Sequence, residues 1–148
     1  AIIPSLEAAE RDDALREMID TLVESGVAEA SLRDELLERV LERERRGSTG
    51  FGRGVAVPHV KHESVNGIAA AVALSEKGVN FNALDKAPVY SIFLLLSPAD
   101  KPEEHLQAME VIFKSLSPEP FRRFLRQATT VEDVWTLLEE ADAQQLAG

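Results

Sequence analysis

The segment Arg43–His62, RERRGSTGFGRGVAVPHVKH, is the most informative stretch of this chain. Its charged start leads into Ser48-Thr49-Gly50, and its apolar end closes with Pro58-His59. Glycines at positions 47, 50, 52 and 54 allow positive φ and a close approach of the backbone to another group. The segment therefore predicts a tight, backbone-lined turn that delivers His59. An imidazole is one of the few side chains that act as a nucleophile and carry a covalent group.

Two helices are predicted on the N-terminal side of this segment. Between residues 12 and 25, apolar residues recur at the spacing of an amphipathic helix, and Gly26 is a stop signal. Ser31 and Asp34 predict the capped start of a second helix. That helix ends in the cations before Gly47, where positive charge is favourable.

Strands are predicted where the helical period is lost. Val55–Val57, Gly78–Phe81 and the continuous small apolar run Ile68–Leu74 are candidate strands, and Val89–Leu96 is the strongest one. Residues 1–7 predict an edge strand or an extended arm, since Pro4 favours an edge.

Three helices are predicted after the last strand, over Pro102–Leu116, over Pro118–Ala128 and after Thr130, which is placed as a cap. The expected inner face of the first consists of Leu106, Met109, Ile112, Phe113 and Leu116. This order of elements predicts an α/β fold, a mixed sheet of about five strands with helices on both faces. We expect a single domain over residues 1–148.

Composition and charge exclude several classes of function. A net charge of −10 and a pI near 4.8 argue against nucleic acid and against an anionic membrane surface, and are compatible with a basic protein partner. The chain has no cysteine, which excludes disulfides and thiolate metal sites. No apolar run reaches the roughly 20 residues of a membrane span. We therefore expect a cytoplasmic protein without direct membrane insertion.

The chain has three histidines, His59, His62 and His105. His105 shares a helix face with Met109 and Ile112 and is expected to point toward the body of the protein. His62 has polar neighbours and is expected in a solvated loop. Without the surrounding motif, His59 is better explained as a structural residue after a turn proline. His105 is explained equally well as a satisfied, half-buried residue at a helix start.

A family resemblance adds to these observations. The pattern R-E-x-x-G-S-T-G-x-G-x-G-x-A-V-P-H, followed later by Glu104-His105-Leu106 at a helix start, resembles the active-site region of the type-2 IIA domains of the bacterial phosphoenolpyruvate-dependent sugar phosphotransferase system. That family comprises the fructose- and mannitol-specific IIA domains and the nitrogen-regulatory IIA protein. The resemblance covers nearly the whole chain.

The resemblance implies a phosphocarrier. His59 would accept phosphate from the histidine phosphocarrier protein, with His105 and Arg43 beside it, and would pass the phosphate to a IIB domain or signal to a regulatory target protein. Ser48, Thr49 and Gly50 would support the phosphate, because hydroxyls and glycine amides are suitable donors. Phosphoryl transfer of this kind requires neither a metal nor a cofactor.

One position departs from the family, which has a small residue after the active histidine. Here Val60 follows His59, and a β-branched side chain narrows the access. The alternative function is therefore an interaction module that keeps the fold without transferring phosphate. For the partner surface we expect an apolar patch around His59 with an acidic rim. Phe51 is the candidate exposed contact of that patch, and its burial in the core is the equal alternative.

Overall fold

The computed structural model describes the backbone of residues 1–147, and their side chains except for Phe51 and residues 142–147. The elements follow in the order β1 (Ile2–Ile3), α1 (Arg11–Glu24), α2 (Arg33–Arg46), β2 (Gly50–Gly52), β3 (Val55–Ala56), β4 (His59–His62), β5 (Ala69–Val79), β6 (Val89–Pro98), α3 (Pro102–Leu116), α4 (Glu119–Gln127) and α5 (Val131–Ala147). The predicted α/β class is confirmed.

The described strands form one mixed sheet in the order β1-β5-β6-β3-β2, with β4 also paired to β6. β5 and β6 are antiparallel, whereas β3 and β4 both run parallel to β6. β3 pairs with the first half of β6 and β4 with the second half, so that His59 lies opposite Leu95 and Val55 opposite Ser91. One chain segment thus changes from β3 to β4 at Val57-Pro58 while it stays beside the same strand.

Helices cover both faces of the sheet, as alternation along β5 and β6 requires. Ile92 and Leu94 of β6 join the core formed with α1 and α2. Phe93 of β6 joins the second core, to which α3, α4 and α5 contribute Leu116, Leu125 and Val134. The site described below lies at β4, between residues of α2 and His105 of α3.

Two expectations about β-structure are wrong, and the first concerns His62. His59–His62 is a strand, and its His62 is 3% exposed and not a solvated loop residue. The ring is buried because its Nε2 lies 2.5 Å from a carboxylate oxygen of Glu35 on α2, while its Nδ1 accepts the Ser64 amide at 2.9 Å. The strand could not be predicted because a polar histidine occupies a position where the alternating pattern of a strand would have an apolar residue.

The second concerns the predicted strands Ile68–Leu74 and Gly78–Phe81, because most of the first and the start of the second belong to one strand, β5. An irregularity between Leu74 and Val79 interrupts the pairing with β6. Gly78 has φ +92°, and a Cβ there would lie 2.7 Å from Pro88, so this bulge needs a glycine.

Two details of the helices also differ from expectation. The second helix begins at Arg33 after a short 3₁₀ turn, Ala30–Leu32, and no side chain caps it. On α3, Leu106 is 65% exposed. The inward-facing side of this helix carries His105, Met109 and Leu116, and Leu106, the residue after His105, lies about 100° further around the helix. The cap at Thr130 is confirmed, since its Oγ1 accepts the Asp133 amide at 3.1 Å.

Candidate functional site

His59 is held at the point where the chain passes from β3 to β4. The Leu95 amide donates to the carbonyl oxygen of Pro58 at 3.0 Å, which fixes the backbone on one side of the histidine. The proline ring restricts φ and stiffens the same step. The imidazole is therefore presented from a rigid sheet edge and is half-buried.

The hydrogen bond of the His59 ring determines which nitrogen is free. Nδ1 lies 3.0 Å from the carbonyl oxygen of Val57. Because a carbonyl only accepts, Nδ1 carries the proton, and the neutral ring keeps its lone pair on Nε2. The geometry thus prepares Nε2 as a nucleophile.

Burial and nearby cations keep His59 uncharged. Burial lowers the pKa of His59 below its ordinary value of 6.5, the Val57 carbonyl partly opposes that shift, and Arg43 and Lys61 lower the pKa further by charge repulsion. At neutral pH the ring is therefore in the form that a nucleophile requires.

His105 lies beside His59, as expected. The two ring centroids are 5.3 Å apart and the ring planes are inclined by 57°. His105 is 4% exposed, and its Nδ1 is 2.6 Å from the hydroxyl oxygen of Ser97 near the end of β6. Burial, His59 and Lys61 lower the pKa of His105. Two neutral imidazoles thus share one site.

An open cleft of about 480 Å³ lies in front of His59. Most of the residues that line it are cationic: Arg39, Arg43, Arg46 and Lys61, with Glu42, His59 and Val60. Glu42 is paired with Arg46 at 2.9 Å. The expected apolar patch with an acidic rim is therefore wrong for this side of His59, where the lining suits an anion.

Arg43 has a defined position in this cleft. Its Nη1 donates to the carbonyl oxygen of Gly47 at 2.8 Å, which caps the C-terminal end of α2. Arg39 similarly ties α2 to β4, since its Nη1 donates to the Lys61 carbonyl oxygen at 3.0 Å. Sequence reasoning did not select Arg39, Arg46 or Lys61, because only the α2–β4 contact gathers them.

Ser48, Thr49 and Gly50 bond away from the cleft. The Ser48 hydroxyl donates to the Phe81 carbonyl oxygen at 2.9 Å and accepts the Gly50 amide at 3.0 Å. The Thr49 hydroxyl donates to a carboxylate oxygen of Glu44. None of the three lines the cleft. Their role as phosphate ligands stays a prediction.

Glu44 is a site residue that sequence reasoning missed. It is 2% exposed and accepts both the hydroxyl and, at 3.1 Å, the amide of Thr49. Burial raises the pKa of Glu44. Helical spacing could have predicted its burial, because Glu44 lies four residues after the buried Val40 on the same face of α2.

A continuous path of hydrogen bonds joins Glu44 to the nucleophile. Glu44 holds Thr49, the Thr49 carbonyl oxygen accepts the Val57 amide at 3.2 Å, and the Val57 carbonyl oxygen accepts Nδ1–H of His59. The loop after α2 therefore positions the imidazole through Val57. This explains in physical terms why the glycine segment and His59 occur together.

Close packing explains two of the glycines. A Cβ at Gly50 would lie 2.9 Å from the Cβ of Ala83, so the chain needs a glycine there. Gly54 has φ +78°, in the region that side chains disfavour, and its carbonyl oxygen accepts the Tyr90 and Ser91 amides. The contact predicted for Phe51 falls on a side chain outside those that the structure describes.

Neither a metal cluster nor a membrane helix is found in the described part of the chain. No group of three or more histidine and carboxylate side chains among those residues is arranged to hold a metal ion. None of the described helices has the length and hydropathy needed to cross a bilayer.

The family profile of the phosphoenolpyruvate-dependent sugar phosphotransferase system, EIIA 2, matches residues 1–141. The chain belongs to this family. It is 34% identical over 132 residues to the PTS system fructose-specific EIIA component of Haloferax volcanii, covering 89% of this chain and 84% of that protein.

Solved structures share the fold of this EIIA chain. The nitrogen regulatory protein IIA-Ntr from Neisseria meningitidis superposes with a TM-score of 0.82 at 30% identity, covering 93% of this chain and 92% of the other. The complex of enzyme IIAMTL and phosphorylated enzyme IIBMTL from Escherichia coli contains the same fold, with a TM-score of 0.77, 22% identity and 94% coverage of both chains. Family and relatives together support a phosphocarrier or regulatory function for this chain.

Proposed function

We propose that this EIIA chain accepts a phosphoryl group on Nε2 of His59, with the histidine phosphocarrier protein as the donor. The observation that carries the proposal is the 3.0 Å hydrogen bond from Nδ1 to the Val57 carbonyl oxygen, which leaves the Nε2 lone pair free. The depressed pKa of His59 keeps that lone pair available at neutral pH. The chain then acts as a phosphotransferase component.

The proposed step exchanges one N–P bond for another. The Nε2 lone pair of His59 attacks the phosphorus on the donor histidine, an N–P bond forms, and the donor N–P bond breaks with its electron pair left on the donor nitrogen. The His59 Nδ1 proton stays in its bond to Val57 throughout. Protonation of the departing donor nitrogen by solvent completes the step.

Cations and a second imidazole support the transferred group. Arg43 and Lys61 line the cleft in front of His59, where guanidinium and ammonium groups stabilise phosphoryl oxygens. The ring of His105, 5.3 Å away between centroids, is close enough to donate to a phosphoryl group on His59. The chain therefore needs few groups beyond those that position and neutralise the phosphate.

The proposed acceptor is a IIB domain or a regulatory target, in the cytoplasm. A IIB partner is supported by the fold shared with enzyme IIAMTL, which forms a complex with phosphorylated enzyme IIBMTL. A regulatory partner is supported by the likeness to IIA-Ntr. In either case the phosphorylated and free forms present different charge beside His59, and partners distinguish them by that charge.

A module without transfer is the less favoured function. Val60, the residue that departs from the family pattern, is 5% exposed and packs in the core between the sheet and α2. Its extra methyl groups are thus largely accommodated inside the protein, although the residue borders the cleft. The nucleophile, its orienting carbonyl and the cleft cations are all present in this chain.

Incubation with phosphoenolpyruvate, enzyme I and the histidine phosphocarrier protein tests the proposal. We expect an acid-labile adduct of about 80 Da, one phosphoryl group, and phosphorus NMR should assign it to Nε2. His59→Ala should abolish the adduct, while His62→Asn, which changes the other histidine of the same strand, should retain it in folded protein. Full labelling of folded His59→Ala, or no labelling of the wild type, would refute the proposal.

A further inference from the structure

A second cationic cleft lies apart from the one at His59 and shares no lining residue with it. It has a volume of about 520 Å³ between α4 and the turn that joins β2 to β3. Its lining consists of Arg53, Glu119, Arg122, Arg123, Arg126 and Gln127. The volume is in the range of sites for small organic ligands.

The charge of this cleft differs from that of the protein. Four guanidiniums and a single carboxylate surround it, in a chain whose net charge is −10. Among the described residues, only Arg123 of the four pairs with a carboxylate, that of Glu119 at 3.3 Å. Clustered like charges repel one another, so such a group is favourable chiefly when an anion lies among them.

Two of the guanidiniums are held in place before any ligand binds. Arg126 lies over the ring of Tyr90, with 3.8 Å between the guanidinium carbon and the ring centroid. Arg122 Nη1 donates to the carbonyl oxygens of Leu116 and Ser117 at 2.6 and 2.5 Å. These contacts reduce the side-chain entropy lost on binding and leave other N–H groups of each fork for a ligand.

Arg53 reaches the cleft from an uncommon backbone conformation. Its φ is +61°, between two glycines that also have positive φ, and its amide donates to a carboxylate oxygen of Asp85 at 3.2 Å. Residues other than glycine rarely adopt this conformation, and such strain is concentrated at functional sites. The turn therefore presents an arginine where a glycine would fit more easily.

The cleft shares no lining residue with the cleft at His59. The carbonyl oxygen of Gly54, next to Arg53, accepts the amide of Ser91, whereas His59 pairs with Leu95. Four residues along a strand correspond to about 13 Å. The helix that contributes the other arginines, α4, packs on the sheet face opposite α2.

We propose that this cleft binds a compact anion carrying two or more phosphate groups, at a site separate from the phosphoryl acceptor. Planar guanidiniums bind phosphate through paired hydrogen bonds, and several of them around one cleft match several phosphates on one small molecule. An extended acidic peptide would instead require cations along a strip.

Calorimetric titration with inorganic tripolyphosphate tests the proposal at constant ionic strength. Arg126→Gln and Arg53→Gln should each weaken binding about tenfold, the loss of one charge-assisted contact of roughly 1.4 kcal/mol. Arg16→Gln is the control for a change of one arginine, because Arg16 is an exposed arginine of α1 that lies outside both clefts. It should bind within a factor of about two of the wild type.

Any of the following four results would overturn the proposal. Loss of binding in Arg46→Gln but not in Arg126→Gln would place the anion at His59. Orthophosphate bound as tightly as tripolyphosphate would exclude a ligand with several phosphates, and tighter binding of a hexaglutamate peptide would indicate an acidic protein partner. The absence of binding heat at millimolar tripolyphosphate would show that the cleft does not bind this anion. Should Arg126→Gln fail to fold, Arg53→Gln, on an exposed turn, carries the test.

Discussion

Removing the Glu44 carboxylate should disturb both the stability of the protein and the position of His59. In Glu44→Ala, the amide and hydroxyl of Thr49 lose their acceptors inside a buried site. Each unsatisfied buried donor costs about 1–3 kcal/mol, and the vacated volume adds to this. We therefore expect a loss of about 3–5 kcal/mol in the free energy of unfolding, a large part of the usual 5–15 kcal/mol.

Glu44→Gln should be much milder. Its amide oxygen still accepts the Thr49 N–H, and its NH₂ group can donate to the Thr49 hydroxyl, so the expected loss is about 1 kcal/mol. Glu38→Gln changes an exposed residue of the same helix and should stay within about 0.5 kcal/mol of the wild type. Urea denaturation of the three variants measures these differences.

The pH dependence of stability gives a second readout. Burial raises the pKa of Glu44 above its ordinary value of 4.5 in the folded chain. Between 4.5 and the raised pKa the folded chain binds more protons than the unfolded chain. The contribution of Glu44 is therefore fully present below pH 4.5 and is lost as pH rises through the raised pKa. Glu44→Gln should remove this slope, and Glu38→Gln should not.

The effect on phosphorylation should follow from the hydrogen bonds that lead to Val57. If the loop after α2 shifts, the Val57 carbonyl no longer holds Nδ1 of His59, and a misplacement of about 1 Å can slow a reaction about a hundredfold. We expect folded Glu44→Ala to be phosphorylated at least about tenfold more slowly, with a changed imidazole NMR signal for His59. Wild-type rates and an unchanged signal in a destabilised Glu44→Ala would refute the positioning argument.

Three further predictions concern the groups around His59. Arg43→Gln should lower the rate of phosphorylation about tenfold, whereas Arg45→Gln, which removes an exposed cation from the same helix end, should leave that rate within a factor of about two. Equal rates for the two variants would contradict a specific role for Arg43. Burial lowers the pKa of His59 below 6.5 in the folded chain, so the contribution of His59 to stability is complete above pH 6.5 and is lost as pH falls through the pKa of the folded state. An NMR titration of the His59 imidazole with a midpoint above pH 6.5 would contradict this lowered pKa. His62→Asn and Glu35→Ala each remove the 2.5 Å contact between β4 and α2 and should cost about 1–3 kcal/mol by urea denaturation. A double-mutant cycle with no coupling would show that the contact contributes nothing.

Features that depend on neighbouring residues could be predicted from the sequence. The bounds of α3, Pro102–Leu116, and most of β6 follow from local apolar patterns and the flanking prolines. The cap at Thr130 depends on a residue three positions away. The pairing of a glycine segment with Pro58-His59 also lies within one short stretch, and the resemblance of that stretch to a family motif is what favours His59 as a nucleophile over a structural histidine.

Features that depend on distant partners were decided only by the tertiary structure. The sequence predicts that polar residues such as Glu44 and His62 are exposed. Both are buried because each side chain has a hydrogen-bond partner inside the protein, Thr49 for Glu44 and Glu35 for His62. The approach of His105 to within 5.3 Å of the His59 ring, which the resemblance implied and spacing did not, depends on how α3 follows β6.

The electrostatic character of the site shows the same division. The sequence by itself determined the net charge of −10, and that number suggested an acidic surface near His59. Only the folded chain brings Arg39 and Arg43 of α2 to Lys61 of β4 around one cleft, since packing of α2 on the sheet decides which charges become neighbours. Total charge is a sum over residues, whereas a binding site depends on the distances between them, and those distances are set by tertiary packing.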